Sequence, residues 1–404
     1  MKKDLLNILI FGNTNNYPYR LAIALNSLGH RVSLILNTKY NLHRPYSLIK
    51  EKGGDLPQGV ILYDLSELNE DDYIFETHNI SKLIRILNYE YYDFCILNDI
   101  GPSLSKYIKI PHMSFLTGSD LTYYANFDTL ERISSKWDCA FKRSTEGLRF
   151  LSKYTSLILR QREGISKSKI IYHAEKGLLP EHDKLLNELG IDEDMRIFNA
   201  MSDLENLNYK APSKNKKLNL ICGSRINFKN SAENFSSLDI KGVDILLKGF
   251  SKFIHKGYKA QLKLFLKGRN INDAKKLIEN LNIKDSVKWK KEISLNDFYN
   301  EIRKSDLVCD QFSNSYPGMI LFDSFAIGRP VMGNLKNKIF KAKYGKVLPG
   351  FNTTTIDSVT KTLIKIENDR SILERKGKES REFALEHFCP KEFARYIIDS
   401  FTKK

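Results

Sequence analysis

The chain has 404 residues, 42% of them hydrophobic, which exceeds one typical domain, suits two, and excludes a disordered polyelectrolyte. No apolar run approaches the ~20 residues that span a bilayer, so a membrane partner has to be met from its surface. Lys and Arg number 64 against 48 Asp and Glu, and the net charge of +16 favours polyanionic partners such as nucleic acid, anionic lipid or phosphorylated substrates, or reflects a Lys-, Asn- and Ile-rich composition. Cys95, Cys139, Cys222, Cys309 and Cys389 have no metal-ligand spacing and read as free thiols of a reducing, cytoplasmic compartment. The start, Met1 to Phe11, is too short and too polar at Asn7 for a secretion signal and reads as a first strand.

In chain order, Asn7 to Phe11 predicts a strand, Gly12 to Pro18 a polar loop, Tyr19 to Leu28 a helix closed by Gly29, and Arg31 to Leu36 a second strand. The loop after the first strand lacks both the G-x-G-x-x-G and the Gly-Lys-Ser/Thr phosphate patterns, which argues against a dehydrogenase or a nucleoside triphosphatase. Asp93 to Leu97 and His112 to Leu116 predict further strands, and residues 127–195 read as mainly helical. This rhythm implies a parallel sheet covered on both faces. After His112 to Leu116 come Thr117-Gly118-Ser119-Asp120-Leu121, where Asp120 either caps a helix or handles a hydroxyl proton. His112 sits inside its strand and reads as packed. Tyr17, Tyr19, Tyr123 and Tyr124 offer stacking faces to sugar rings or are edges of the core. Residues 132–153 place Ile133, Trp137, Phe141, Leu148 and Leu151 at helical spacing among basic residues. That is the pattern of a helix on an anionic membrane surface, or of an ordinary domain helix with a solvated face.

Residues 211–217, polar and basic with a proline, read as a linker. The rhythm then restarts, with strands at Leu218 to Cys222, Gln261 to Leu266 and Val287 to Trp289, and helices at Val243 to His255, Asp273 to Leu281 and Leu295 to Lys304. A strand Leu307 to Cys309 runs into Asp310 and Gln311, and Pro317-Gly318 opens an apolar helix, Met319 to Ile327. Gly328-Arg329-Pro330 stops it, and Val331-Met332 resumes a strand. Amides at the helix start, around Gly318 and Met319, suit a phosphate. Asp323 inside the apolar helix requires either a cation or a ligand hydroxyl. Arg381 to Phe401 reads as helix interrupted at Pro390.

The run Asp323-Ser324-Phe325-Ala326-Ile327-Gly328-Arg329-Pro330-Val331 resembles the donor-site motif of GT-B glycosyltransferases, closest to glycosyltransferase family 4. By that resemblance Asp323 takes the place of the second of two glutamates, which holds the donor ribose, and Ser315 stands where the first would address the transferred sugar. Asp310 is the nearest upstream acid and the candidate to replace it in catalysis. Gly223-Ser224-Arg225 and Lys241-Gly242 match the family's two cations that clamp the donor diphosphate. The interval between them is long and holds Lys229, a second candidate for that role. The loop at Gly12 would meet donor phosphate or acceptor, and the strand end at Lys288 to Ile293 the nucleotide base. Family members often carry a His where Thr117 stands.

The resemblance implies an α/β protein of GT-B fold, two Rossmann-like domains with parallel sheets facing a central cleft. Its expected parts are an acceptor-side domain over 1–205, a nucleotide-sugar-binding domain over 206–385, and a helix over 386–404 that crosses back. It implies transfer of a sugar from a nucleoside-diphosphate sugar to a glycan or lipid-linked acceptor of a bacterial envelope, with retention and no metal or other cofactor. The expected place is the cytoplasm, with peripheral contact to the membrane, and nucleic acid is not an expected partner. Two alternatives stand beside it: an inverting enzyme with Asp120 as base, and an inactive scaffold, since both Ser315 and Thr117 replace expected functional residues.

Overall fold

The computed structural model describes residues 5–40, 43–45, 57–89, 91–212, 217–228, 239–313 and 317–403. The chain divides into two compact units, the first made of Met1–Glu175, Pro180–Asn199 and Pro390–Lys404, the second of Lys176–Leu179 and Ala200–Cys389.

Among the described residues, the first unit holds seven parallel strands in the order β3-β2-β1-β4-β5-β6-β7. They are β1 (Asn7–Phe11), β2 (Arg31–Leu36), β3 (Val60–Asp64), β4 (Phe94–Asn98), β5 (His112–Phe115), β6 (Ile170–Tyr172) and β7 (Arg196–Ile197). Strands β1 and β4 are continuous apolar runs because both faces of a parallel sheet are covered. On one face Leu9, Phe11, Cys95 and Leu97 pack with Tyr154, Leu157 and Ile158 of the helix Thr145–Ser166. The first helix is Tyr17–Ser27, two residues earlier than expected, because Pro18 falls in its first turn, where a missing N–H costs nothing. Gly29, at φ +93°, ends it.

Residues 127–195 are mainly helical as expected, and the short strand β6 lies among the helices. Its three residues are too few to show a period, and only pairing with β5 makes them a strand. One expectation is overturned: residues 132–153 do not form one basic amphipathic helix but belong to Asp128–Ser134, Cys139–Arg143 and the start of Thr145–Ser166. Asp138 and Ser144 cap the two later helices, and Trp137 packs edge-on against both Phe141 and Phe150. Among the described residues no helix is long and apolar enough to cross a membrane. The last helix, Pro390–Thr402, packs within this unit, with Phe401 stacked on Phe94 at 4.2 Å and Phe393 5.5 Å from Tyr172.

A histidine pair lies inside the same unit. His173 follows β6, and its ring lies 5.1 Å from that of His182, whose Nε2 meets Thr122 Oγ1 at 2.8 Å. Burial is the main cause holding both below the usual imidazole range, His182 at about 4, with Arg196 adding to it and Asp183 opposing at His182. Between pH 4 and 6.5 the unfolded rings bind protons that the folded rings refuse, so stability rises with pH there and is lost on acidification. His182 alone accounts for about 3 kcal/mol by pH 4. Urea unfolding followed by Trp137 emission in a Trp289→Phe background should show this slope, and His182→Gln should flatten it. An unchanged slope would remove the pair from the account.

The second unit holds, among the described residues, six parallel strands in the order β10-β9-β8-β11-β12-β13. These are β8 (Leu218–Cys222), β9 (Ala260–Phe265), β10 (Val287–Lys290), β11 (Leu307–Cys309), β12 (Val331–Gly333) and β13 (Phe351–Asn352). Helices Val243–His255 and Met319–Ile327 have the expected limits, and Ile271–Asn280 and Leu295–Arg303 lie within two residues of theirs. The expected C-terminal helix is two helices, Ser371–His387 and Pro390–Thr402, parted just before Pro390. Helices Asn337–Tyr344 and Ile356–Asn368 carried no signal strong enough to read, although Thr355 and Ser358 form a capping box at the second.

Arg329, fully buried, ties this unit together. Its guanidinium donates to the carbonyls of Ser305 (2.7 Å), Arg303 (2.7 Å), Ala211 (3.2 Å) and Lys210. Arg381 likewise donates to the carbonyls of Leu207, Ala326 and Leu204. The two cations strap residues 204–211 onto the carboxyl end of helix Met319–Ile327, where a helix dipole favours positive charge.

Candidate functional site

In an open parallel sheet, ligands lie beyond the carboxyl ends of the strands at the point where strand order reverses. In the second unit that point is between β8 and β11. Gly223-Ser224-Arg225 follows β8, Asp310 follows β11, and Lys241-Gly242 enters the helix Val243–His255. Gly242 is left-handed at φ +69°, and a Cβ there would lie 2.8 Å from the Ser313 amide, so only glycine lets the Lys241 turn close on that loop. The Phe312 amide donates to the Lys241 carbonyl at 2.9 Å. Arg225 is exposed and Lys241 largely covered. Burial holds the Lys241 ammonium below its usual range, the Arg225 guanidinium pushes the same way, and Asp239 and Asp310 oppose. Arg225 thus adds a second positive charge to a place where Asp239 and Asp310 already act on Lys241. Lys229 lies outside the described residues.

Asp310 is 2% exposed. Its carboxylate accepts from Ser224 Oγ at 3.2 Å and from the Gly318 amide at 3.0 Å. Burial raises its proton affinity, and Gly318, Ser224 and Lys241 pull it back. The carboxylate therefore clips the start of helix Met319–Ile327 to the end of β11. The Gly318 amide, expected to be open to a phosphate, is engaged by Asp310, while Met319, the next residue, begins the helix. Asp323, 2% exposed, accepts from the Tyr299 hydroxyl at 2.8 Å, a partner that sequence spacing did not suggest. Ser315 lies outside the described residues. Asn334 holds the loop before it, donating through its amide and side chain to the carbonyls of Gln311 and Ser313, both at 2.7 Å.

In the first unit the switch point is between β1 and β4. Gly12 follows β1 at φ +83°, and a Cβ there would lie 2.8 Å from the Asn98 carbonyl. Asn98 accepts from the Thr14 amide at 2.9 Å and donates to the Phe115 carbonyl at 2.7 Å and to Thr117 Oγ1 at 3.2 Å. Register places Asn98 beside Gly12 as Asp310 stands beside Gly223, so the two residues are equivalent clips in the two sheets. Asp120 has no exposed surface. Its carboxylate accepts from the amides of Thr117 (2.6 Å), Gly118 (2.8 Å) and Leu121 (3.1 Å). Burial pushes its pKa up to about 7 against those bonds, with Asp99 adding to the rise. Asp120 lies within the short helix Ser119–Thr122, whose N-cap is Gly118, so its carboxylate ties the Thr117–Gly118 turn to that helix and is not the N-cap that sequence offered.

The tyrosines separate. Tyr17 and Tyr19 are buried in the first helix, Tyr124 packs against the core, and Tyr123 stands 37% exposed beside the Ser119–Thr122 turn. His112 is packed, its Nε2 2.7 Å from the Gly164 carbonyl. Asp99 was not singled out by sequence reasoning. It follows β4 at φ +60°, accepts from Ser119 Oγ at 3.1 Å and Asn37 Nδ2 at 3.4 Å, and is partly exposed. An acid directly after a buried strand and before Gly101-Pro102 was the available signal.

No protein-family model and no curated protein sequence matches the chain. Solved structures do. HepE of Anabaena, in complex with UDP and glucose, superposes with a TM-score of 0.65 at 12% identity, covering 99% of this chain and 100% of that one. A glycosyltransferase of Rickettsia africae ESF-5 gives 0.64 at 14% identity over the whole of both chains. Sucrose-phosphate synthase of Thermosynechococcus elongatus gives 0.62 at 12% identity over 97% of each. The likeness is one of fold: two Rossmann-like parallel-sheet units in one chain, the GT-B architecture that the sequence implied.

Proposed function

We propose that this chain is a glycosyltransferase that moves a sugar from a nucleoside-diphosphate sugar to a hydroxyl of a glycan or lipid-linked acceptor. The carrying observation is the placement of Arg225 after β8 and of Lys241 at the start of helix Val243–His255, both beside the switch point of the second unit. Breaking the bond between the anomeric carbon and the diphosphate places growing negative charge on the leaving oxygen, and these two cations offset it as it develops. With that charge supplied by side chains, the reaction needs no metal. The acceptor oxygen bonds to the anomeric carbon, and its proton passes to the departing phosphate oxygen on the same face, so configuration is retained. The burial of Asp120, with its carboxylate spent on three amides, supports this course over an inverting one that uses it as base. The neighbour solved with UDP-glucose supports a nucleotide-sugar donor. A role in envelope polysaccharide synthesis, on the cytoplasmic membrane face, is part of the same reading.

A thermal-shift screen against UDP, GDP, ADP, CMP and their common sugar conjugates tests it. A ligand at 100 times its dissociation constant adds about 2.7 kcal/mol, a shift of several degrees. One nucleotide class should shift the wild type and not Arg225→Ala. A shift with none of them would sink the proposal and favour a scaffold.

A further inference from the structure

Strand β2 is an apolar run after Arg31 except at Ser33. A strand covered on both faces has little use for a hydroxyl, so Ser33 asks for a reason. Register sets Arg31 beside Asn7 of β1, and Ser33 beside Ile61 of β3. Side chains alternate along a strand, so Asn7, Arg31, Ser33 and Ile61 stand on one face of the sheet. They lie toward the amino ends of the three strands, the end opposite Gly12 and the switch point.

A cavity of about 280 Å³ opens at this place. Those four residues line it together with Tyr91 and Tyr92, which precede β4. Asn7 Nδ2 donates to the Tyr91 carbonyl at 3.3 Å and ties the tyrosine segment to the start of β1. Ser33 is 3% exposed, and its hydroxyl has no hydrogen-bond partner among the described residues. A buried hydroxyl in that state costs stability unless something that enters the cavity supplies a partner. Arg31 is exposed, and its guanidinium likewise has no partner among the described residues. It is also the one charged residue of the described lining. Nearby Asp93 does not line the cavity, and its Oδ2 accepts from the Asn7 amide at 2.8 Å.

These groups name a chemistry. Arg31 and Ser33 stand two residues apart, roughly 7 Å along the strand. An oxyanion held by a guanidinium on one side and a hydroxyl on the other fits that span. Ile61 and the exposed Tyr91 offer apolar and aromatic surface to the body that carries it. The volume is just under the roughly 300 Å³ at which clefts begin to hold drug-sized ligands, so the body is small and a nucleotide sugar is too large. We infer that this cavity binds a small metabolite carrying an oxyanion, a phosphate or a carboxylate, on a single ring. The site stands at the other end of the sheet from the loops that the transfer reaction would use, and it does not depend on that reaction.

Ligand-observed NMR titration of the full chain tests this, with phenyl phosphate, glucose 6-phosphate and benzoate as anionic probes and benzyl alcohol as the neutral one. At least one anion should bind, and benzyl alcohol should bind about tenfold more weakly or worse. Which anion binds tells phosphate from carboxylate. Arg31→Ala should weaken that anion about tenfold or more. Ser33→Val, which sets a methyl in the cavity, should do the same. Ser33→Ala removes only the hydroxyl and should weaken binding about threefold, with the melting temperature held or raised because no bond is lost. Arg225→Ala should leave the affinity unchanged, which separates this site from the proposed donor site. Failure of all three anions to bind at about 10 mM would overturn the inference. So would equal binding of benzyl alcohol, affinity within threefold of wild type in both Arg31→Ala and Ser33→Val, or a loss confined to Arg225→Ala.

Discussion

Replacing Lys241 by alanine should lower kcat/KM for nucleotide-sugar turnover by about 10²- to 10³-fold, or roughly 3–4 kcal/mol of transition-state stabilisation. The ammonium is largely buried and lies within the electrostatic reach of Arg225, Asp239 and Asp310. A cation held in a low-dielectric place gains more from a departing diphosphate than one in water does. Lys241→Arg should recover part of the loss, since charge returns without the same reach. Removing Lys241 should abolish most of the nucleotide-induced thermal shift. The control is Lys252→Ala, a surface partner of Asp357, which should stay within twofold of wild type. Turnover by Lys241→Ala within threefold of wild type would remove this residue from the donor site.

Arg329→Met should destabilise the second unit by about 3–5 kcal/mol. The guanidinium is fully buried, and burial holds its pKa down to about 10, against the pull of nearby Asp306. Methionine fills a similar volume, but the carbonyls of Ser305, Arg303, Ala211 and Lys210 would lose their donor inside the protein. Each orphaned carbonyl costs on the order of 1–3 kcal/mol unless water reaches it. Arg329→Lys should restore less than half, because an ammonium cannot span that fork of acceptors. Trp137 lies in the first unit and Trp289 in the second. Urea unfolding in a Trp137→Phe background therefore reports the second unit alone and avoids assuming one transition for the whole chain. A loss under 1 kcal/mol would mean that water replaces the guanidinium.

Most strands of both sheets were legible because a strand covered on both faces must be a continuous apolar run. Ile8 to Phe11 is such a run, and Leu218 to Cys222 is one but for Asn219. The helix Met319–Ile327 was legible because Gly318 precedes it and a left-handed Gly328 ends it. Strand β6 was not, because its three residues become a strand only by pairing with β5. The expected basic helix over 132–153 failed because caps at Asp138 and Ser144 break the chain into separate helices that the spacing of apolar residues does not reveal.

The candidate site divides the same way. Sequence by itself determined which residue types stand where: Gly12, Arg225 and Asp310 after strands, Lys241 before a helix, and Asp120 and Asp323 within helices. It also determined the two-sheet architecture, since the βαβ rhythm runs twice along the chain. What it left open was the use of each carboxylate, because that depends on partners distant in sequence. Asp310 closes on Ser224 and Gly318, Asp323 meets Tyr299 from another helix, and Asp120 turns inward onto its own loop. Asp99 gained its partners only when strand order brought Asn37 and Ser119 to it. A residue's type fixes what chemistry it is able to do. Whether its polar atoms are already satisfied within the fold decides whether that chemistry remains available to a ligand, and only the tertiary structure settles that.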